Sequence, residues 1–111
     1  MENPLRMILY NVTVNIDLDI EAEWLEWMRR EHIPEVLSTG CFSEARMGLL
    51  LVKEDQGRTY TIQYSAPNME TYETYIREFA PALQAKTASR YGEKVLAFRS
   101  ILSVTDHFYP A

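Results

Sequence analysis

Arg58-Thr59-Tyr60-Thr61-Ile62-Gln63-Tyr64-Ser65-Ala66 alternates without a break. Tyr60, Ile62 and Tyr64 take one parity, and Thr59, Thr61, Gln63 and Ser65 take the other. Successive side chains of a strand point to opposite faces, so this stretch predicts a strand with one apolar and one polar face. Glu54-Asp55-Gln56-Gly57, just before it, carries the residue types of a hairpin turn. Phe42 to Lys53 then reads as the partner strand of that hairpin.

Farther upstream, Met7 to Ile16 is a second alternating run. Ile8, Tyr10, Val12, Val14 and Ile16 share one face; Met7, Leu9, Asn11, Thr13 and Asn15 share the other. Asp17 to Asp19 is polar and suits a helix start. From Ile20 to Leu37 the apolar residues fall at 20, 24, 27/28, 33 and 36/37, which is helical spacing. Pro34 has no amide hydrogen and crowds the preceding turn, so the helix is expected to kink or split near His32-Ile33. Gly40 suits its C-terminal cap. Downstream of the hairpin, Pro67-Asn68 opens a second helix, with Asn68 as N-cap and Glu70 favourable at the positive end. Met69, Tyr72, Ile76, Phe79 and Leu83 form its expected apolar stripe, Pro81 should bend or interrupt it and Gly92 should end it. Val95 to Thr105 is the fourth strand, and Asp106 to Ala111 a tail.

The order is β-α-β-β-α-β, the split βαβ arrangement of a ferredoxin-like α+β fold. It predicts a four-stranded antiparallel sheet with two helices on one face, in a single domain over 1–111 with its core at about 7–105. The other sheet face is expected to carry Leu9, Asn11 and Thr13, then Thr61 and Gln63, then Val95, Ala97, Arg99 and Ile101. In the second strand, Leu49-Leu50-Leu51-Val52 is apolar on both parities, which implies cover on both faces. One chain has no second layer to offer. A homodimer with sheets packed face to face, a dimeric α/β barrel of two-fold symmetry, is therefore expected.

Bulk properties narrow the partners. The 111-residue chain has a net charge of −5. Its basic residues are scattered, and Arg29-Arg30 is flanked by Glu26 and Glu31. Neither nucleic acid nor an anionic membrane is an expected partner. Cys41 is the only cysteine, and Met1-Glu2-Asn3-Pro4 lacks the basic, apolar character of a signal peptide, so a reducing cytoplasm is the expected location. No CxxC, glycine-rich phosphate loop, GxSxG or basic RNP1-like segment is present. Neither His32 nor His107 has a second histidine or a cysteine three or four residues away. No metal and no cofactor is expected.

Three sets of residues are candidates for chemistry. His32, in Glu31-His32-Ile33-Pro34, titrates near neutral pH and sits at the proline-disrupted helix, with Trp24 and Trp27 one to two turns earlier as pocket walls. Its other reading is structural: a histidine satisfying a carbonyl that Pro34 leaves free. Asn11, Gln63 and Arg99, with Arg46 and Glu44, would be partly enclosed in a dimer, where buried polar groups need a ligand or one another. The tyrosines Tyr10, Tyr60, Tyr64, Tyr72, Tyr75 and Tyr91 read as core with hydroxyls at the rim. Cys41 reads as a small buried hydrophobe.

Tyr10-Asn11-Val12-Thr13-Val14-Asn15, Trp24-Leu25-Glu26-Trp27-Met28, His32-Ile33-Pro34-Glu35-Val36-Leu37 and Gly40-Cys41-Phe42, with Gln63-Tyr64 and Ala97-Phe98-Arg99, resemble bacterial proteins of domain of unknown function 4286. The resemblance covers roughly residues 7 to 104 and implies no activity. More distantly, the chain is similar to dimeric α+β barrel proteins, among them antibiotic-biosynthesis monooxygenases and proteins associated with ether degradation. Several of these carry a His-x-Pro segment near the end of the first helix, as His32-Ile33-Pro34 does. That likeness implies a dimeric barrel with a small-molecule cavity.

Three functions fit these residues. The first is a small-molecule-binding homodimeric module, taking a small apolar molecule at Asn11, Trp24, Trp27, Gln63 and Arg99. The second is a cofactor-independent enzyme, monooxygenase- or isomerase-like, with His32 as acid or base. The third is a structural or regulatory dimer that docks another protein.

Overall fold

A computed structural model describes residues 6–53 and 56–111. Strands β1 (Ile8–Ile16), β2 (Glu44–Leu49), β3 (Arg58–Ala66) and β4 (Val95–Ser103) form one antiparallel sheet in the order β2-β3-β1-β4. Helices α1 (Glu21–Trp27) and α2 (Ile33–Ser38) lie between β1 and β2; α3 (Met69–Glu78) and α4 (Ala80–Tyr91) lie between β3 and β4. This is the expected ferredoxin-like α+β architecture. The segments Met1 to Pro4 and Glu54-Asp55, read above as a leaderless terminus and half of a turn, lie outside the described residues.

β3 has the bounds its alternation predicts, and Tyr60, Ile62 and Tyr64 are buried. The sheet's core face, with Ile8, Tyr10, Val14 and Ile16, packs on Trp24, Met28 and Val36 from the first helical layer and on Tyr75, Ala80, Leu83 and Tyr91 from the second. Tyr10, Phe42, Tyr64, Tyr72 and Tyr75 form an aromatic cluster with ring centroids 4.7–6.0 Å apart. Cys41 is buried beside Phe42, as expected.

The first helix does split where Pro34 predicts. Met28–His32 forms a π turn, and the Ile33 N–H donates to the Met28 carbonyl five residues back. Pro34 offers no hydrogen to the carbonyl four residues before it, and widening the turn accommodates that loss. At the second helix, Asn68 accepts from the Thr71 N–H at 2.8 Å, the expected N-cap. Gly40 and Gly92 close their helices at positive φ, where a Cβ is disfavoured.

Three expectations are corrected. First, the second helical stretch is interrupted at Phe79, as Pro81 predicts, with Pro81 in the first turn of α4 where proline is tolerated, but its apolar stripe differs from the one expected. A single stripe cannot run through that break. Ile76 and Phe79 are exposed, while Tyr75, Ala80, Leu83 and Tyr91 are buried. Second, β2 ends at Leu49 and does not continue to Lys53. Leu50, Leu51 and Val52 leave the strand and are exposed, Leu51 at 89%. In the single chain the apolar run is an exposed edge beyond the strand. Third, Val95, Ala97, Arg99 and Ile101 do not lie on the free sheet face. In the β1–β4 register, Arg99 is opposite Val12 and Ala97 opposite Val14. Directly opposed residues share a face, so these four lie on the helix side. The free face of β4 carries Leu96, Phe98, Ser100 and Leu102. β4 is an edge strand that the helices barely cover, and most of its residues are exposed on both faces.

Candidate functional site

The space between sheet and helices is not completely filled. A cavity of about 50 Å³ is floored by Val12, Val14 and Ile62 from β1 and β3, with Ala97 and Arg99 of β4 along one side. Trp24, Met28, His32 and Val36 from the first helical layer and Tyr75, Leu83, Gln84 and Thr87 from the second complete its wall. Ala97 and Arg99 are exposed, so the cavity meets solvent at the β4 edge. The wall is mainly apolar with a few convergent polar groups, the usual make-up of a small-molecule site.

Two of those groups are unsatisfied. Trp24 Nε1 and His32 Nδ1 are buried and have no hydrogen-bond partner among the described residues. A buried polar group left unpaired costs about 1–3 kcal/mol, and such groups are rare enough in native folds to need a reason. Trp24 is 0% exposed and tilts against Tyr60, with ring centroids 5.3 Å apart. Its ring is locked, so its N–H cannot swing out to water.

His32 owes its position to the π turn. Its ring stacks on Trp27, centroids 4.7 Å apart and planes 23° from parallel. Trp27 itself lies outside the cavity. It walls an outer groove with Glu31, Glu35, Lys86 and Arg90, and the Arg90 guanidinium carbon sits 5.5 Å from its ring centroid. Trp27 therefore backs His32 from outside the cavity that Trp24 lines.

Burial pushes the His32 pKa below its ordinary value of 6.5; Glu35 opposes that shift, and Lys86 and Arg99 add to it. A histidine depressed on folding binds fewer protons than its unfolded counterpart. Its contribution to stability is complete above about pH 6.5 and is lost as pH falls through the folded pKa. Urea unfolding from pH 7 down to pH 5 is expected to show a stability loss that His32→Gln reduces. If the two proteins lose stability in parallel, His32 is not the group responsible.

Burial likewise raises the Tyr10 pKa, while Arg99 and Gln84, both close to its hydroxyl, hold it back. Tyr64 and Tyr75 are raised for the same reason, burial, and stay protonated. Tyr10, Gln84 and Thr87 were not among the site residues expected from sequence. A signal for the last two exists: residues 80, 83, 84, 87 and 91 fall on one helical face, and Gln84 and Thr87 are its polar members.

Asn11 and Gln63 stand apart from this cavity, across the sheet. They are register partners, and Gln63 Nε2 donates to Asn11 Oδ1 at 3.0 Å. Thr13 and Thr61 repeat the arrangement at 3.3 Å between hydroxyls. Arg46 is opposite Gln63 in β2 and reaches Glu44 at 3.8 Å, both side chains being largely exposed. The expected trio of Asn11, Gln63 and Arg99 is thus divided: two form a self-satisfied polar ladder on the free face, and Arg99 belongs with His32 and Trp24. Among the described residues no group of three or more potential metal ligands converges, and no helix is long and apolar enough to cross a membrane.

Fold and cavity together define a protein of the ferredoxin-like α+β class. Among solved structures, the chain is similar to a dimeric ferredoxin-like protein from an uncultured marine organism, with a TM-score of 0.69, 11% identity, and coverage of 93% of this chain and 99% of that one. It is similar to an ethyl tert-butyl ether d (EthD) family protein of Bacillus halodurans C-125, with a TM-score of 0.64, 8% identity, and coverage of 84% and 96%. It also resembles a Bacillus cereus protein named after the antibiotic biosynthesis monooxygenases, with a TM-score of 0.65, 9% identity, and coverage of 95% and 99%. At such identities the likeness shows the fold alone. None of the curated proteins matches the sequence. The chain belongs to the family described as domain of unknown function (DUF4286), whose model matches residues 7–105.

Proposed function

We propose that this protein is a homodimeric module that binds a small molecule in the cavity between its sheet and its helices. The observation that carries the reading is that two residues of its largely apolar lining, Trp24 and His32, each hold a buried nitrogen, Nε1 and Nδ1, with no hydrogen-bond partner among the described residues. An apolar void can stay empty, but two unmet polar groups favour a ligand with polar atoms of its own. The apolar residues of the wall suit a small, mainly apolar body.

The dimer rests on the free sheet face. Its centre is the polar ladder, and its two edges are apolar: Leu96, Phe98 and Leu102 on β4, and the Leu50–Val52 run beyond β2. A two-fold axis parallel to the strands lays the β4 edge of one copy over the β2 edge of the other. Both apolar edges are then covered at once, and the barrel closes. The similarity to a dimeric ferredoxin-like protein agrees with that arrangement. The lone buried thiol of Cys41 suits a reducing cytoplasm.

Native mass spectrometry of the purified protein tests both parts. A dimer carrying reproducible added mass is expected. A bare monomer at micromolar concentration would refute the dimer. A bare dimer that no metabolite stabilises in a thermal screen would refute the binding.

His32 favours a second reading, a cofactor-independent enzyme of monooxygenase or isomerase type. Its depressed pKa keeps the ring neutral at pH 7, and an unpaired Nδ1 on a cavity wall can take up a proton. Incubation with a metabolite mixture, followed by mass spectrometry, should show wild-type protein depleting a component that folded, dimeric His32→Gln leaves untouched. Equal depletion by both proteins excludes His32 as the acid or base.

A further inference from the structure

Arg99 stands among the lining residues of the cavity, at its β4 edge. It is the one Arg, Lys, Asp or Glu among the described lining residues. No Asp or Glu lines the cavity, and among the described residues no carboxylate lies within ion-pair distance of Arg99. The nearby basic groups of the fold are differently placed. Arg58 meets Glu21, Arg90 meets Glu23, Lys86 meets Glu35, and Lys94 meets Asp19. Arg99 is thus a cation without a counter-ion at the mouth of an apolar cavity.

The donor balance points the same way. The Trp24 indole N–H only donates, and it is fully buried and unpartnered. The Arg99 guanidinium only donates. Gln84 and Tyr10 supply mixed groups beside it. The Trp24 and Arg99 donors, with one uncompensated positive charge at the mouth, call for acceptor oxygens and a negative charge.

We infer that the ligand is a small monocarboxylate, its carboxylate on Arg99 at the β4 edge and its apolar body between Val12, Val14 and Leu83. Carboxylate and guanidinium match in shape as well as in charge, through two parallel N–H···O bonds. The volume of about 50 Å³ limits the enclosed part to a short or compact group. The inference rests on the proposal that the cavity binds a small molecule, and it adds the ligand's charge and head group.

The test uses three probes of similar size and different charge: isovalerate, isovaleramide and isoamylamine. Each is titrated into wild-type protein while the two tryptophan indole N–H signals are followed by proton–nitrogen correlation NMR. Trp24→Phe identifies the Trp24 signal. Isovalerate is expected to shift that signal and to bind about tenfold more tightly than isovaleramide, the size of effect a charge-assisted hydrogen bond supplies. Isoamylamine is expected not to bind. In Arg99→Met, whose spectrum also reports its folding, the preference for acid over amide should disappear while amide binding persists. Equal or tighter binding of the amide, or an acid preference surviving in Arg99→Met, overturns the carboxylate inference and leaves the cavity as a small-molecule site. Failure of all three probes to move the Trp24 signal also overturns it, and the metabolite thermal screen then judges the broader reading separately.

Discussion

Trp24→Ala is expected to destabilise the protein by about 3–5 kcal/mol, the range for removing a large aromatic side chain from a packed core. Trp24 is 0% exposed and one of the largest fully buried side chains of the fold. It packs on Tyr60, whose hydroxyl donates to Glu21 Oε2 at 2.6 Å and so links β3 to α1. Truncation would merge the space left by the indole with a cavity that already exists, and surrounding groups can collapse only in part. With total stability for such a domain of the order of 5–15 kcal/mol, the variant should be partly unfolded at moderate temperature. Trp24→Phe should behave differently. It keeps most of the ring and removes an N–H that has no partner, so its cost should stay within about 1–2 kcal/mol, since deleting an unsatisfied donor offsets part of the lost packing. Chemical denaturation of the two variants checks the contrast. Equal, large losses would mean that the indole N–H makes a bond the protein depends on.

Phe98→Glu is expected to turn a dimer into a monomer without unfolding it. Phe98 is 70% exposed in the single chain and stands opposite Thr13 on the free sheet face, with Leu96 and Leu102 on the same strand face. An exposed substitution of this kind changes the stability of one chain by only about 0.5 kcal/mol in either direction. At a dimer interface the same carboxylate would be buried without a partner, at a cost of several kcal/mol, and two-fold symmetry applies that cost twice. Sedimentation should therefore report dimer for wild type and monomer for the variant, with matching circular dichroism. A variant that remains dimeric would show that the apolar strip of β4 lies outside the interface. The isovalerate titration can be repeated on the monomer, because the cavity lies on the opposite side of the sheet.

These two experiments address residues of very different legibility. Trp24 stands out in the sequence because it lies at helical spacing with Ile20, Met28 and the residues beyond. Its place on a cavity wall, and the loneliness of its N–H, depend on what the sheet brings to it. Phe98 is invisible as an interface residue while β4 is read alone. Val95, Ala97, Arg99 and Ile101 are about as apolar as Leu96, Phe98, Ser100 and Leu102, so alternation shows two faces without saying which is covered.

The β-α-β-β-α-β order, the bounds of Arg58–Ala66, the split of the first helix before Pro34 and the cap at Asn68 are all legible in the residues. Each of these rests on local causes: period-two alternation, a missing amide hydrogen, a short side chain that accepts a backbone bond. Which sheet face Arg99 occupies, the pairing of Asn11 with Gln63 on the far side and the departure of Leu50–Val52 from its strand follow from how the elements pack. Those outcomes depend on register. A shift of one residue moves every side chain of a strand to the other face, and register is set by pairing with β1 and by packing under the helices rather than by the strand's own residues.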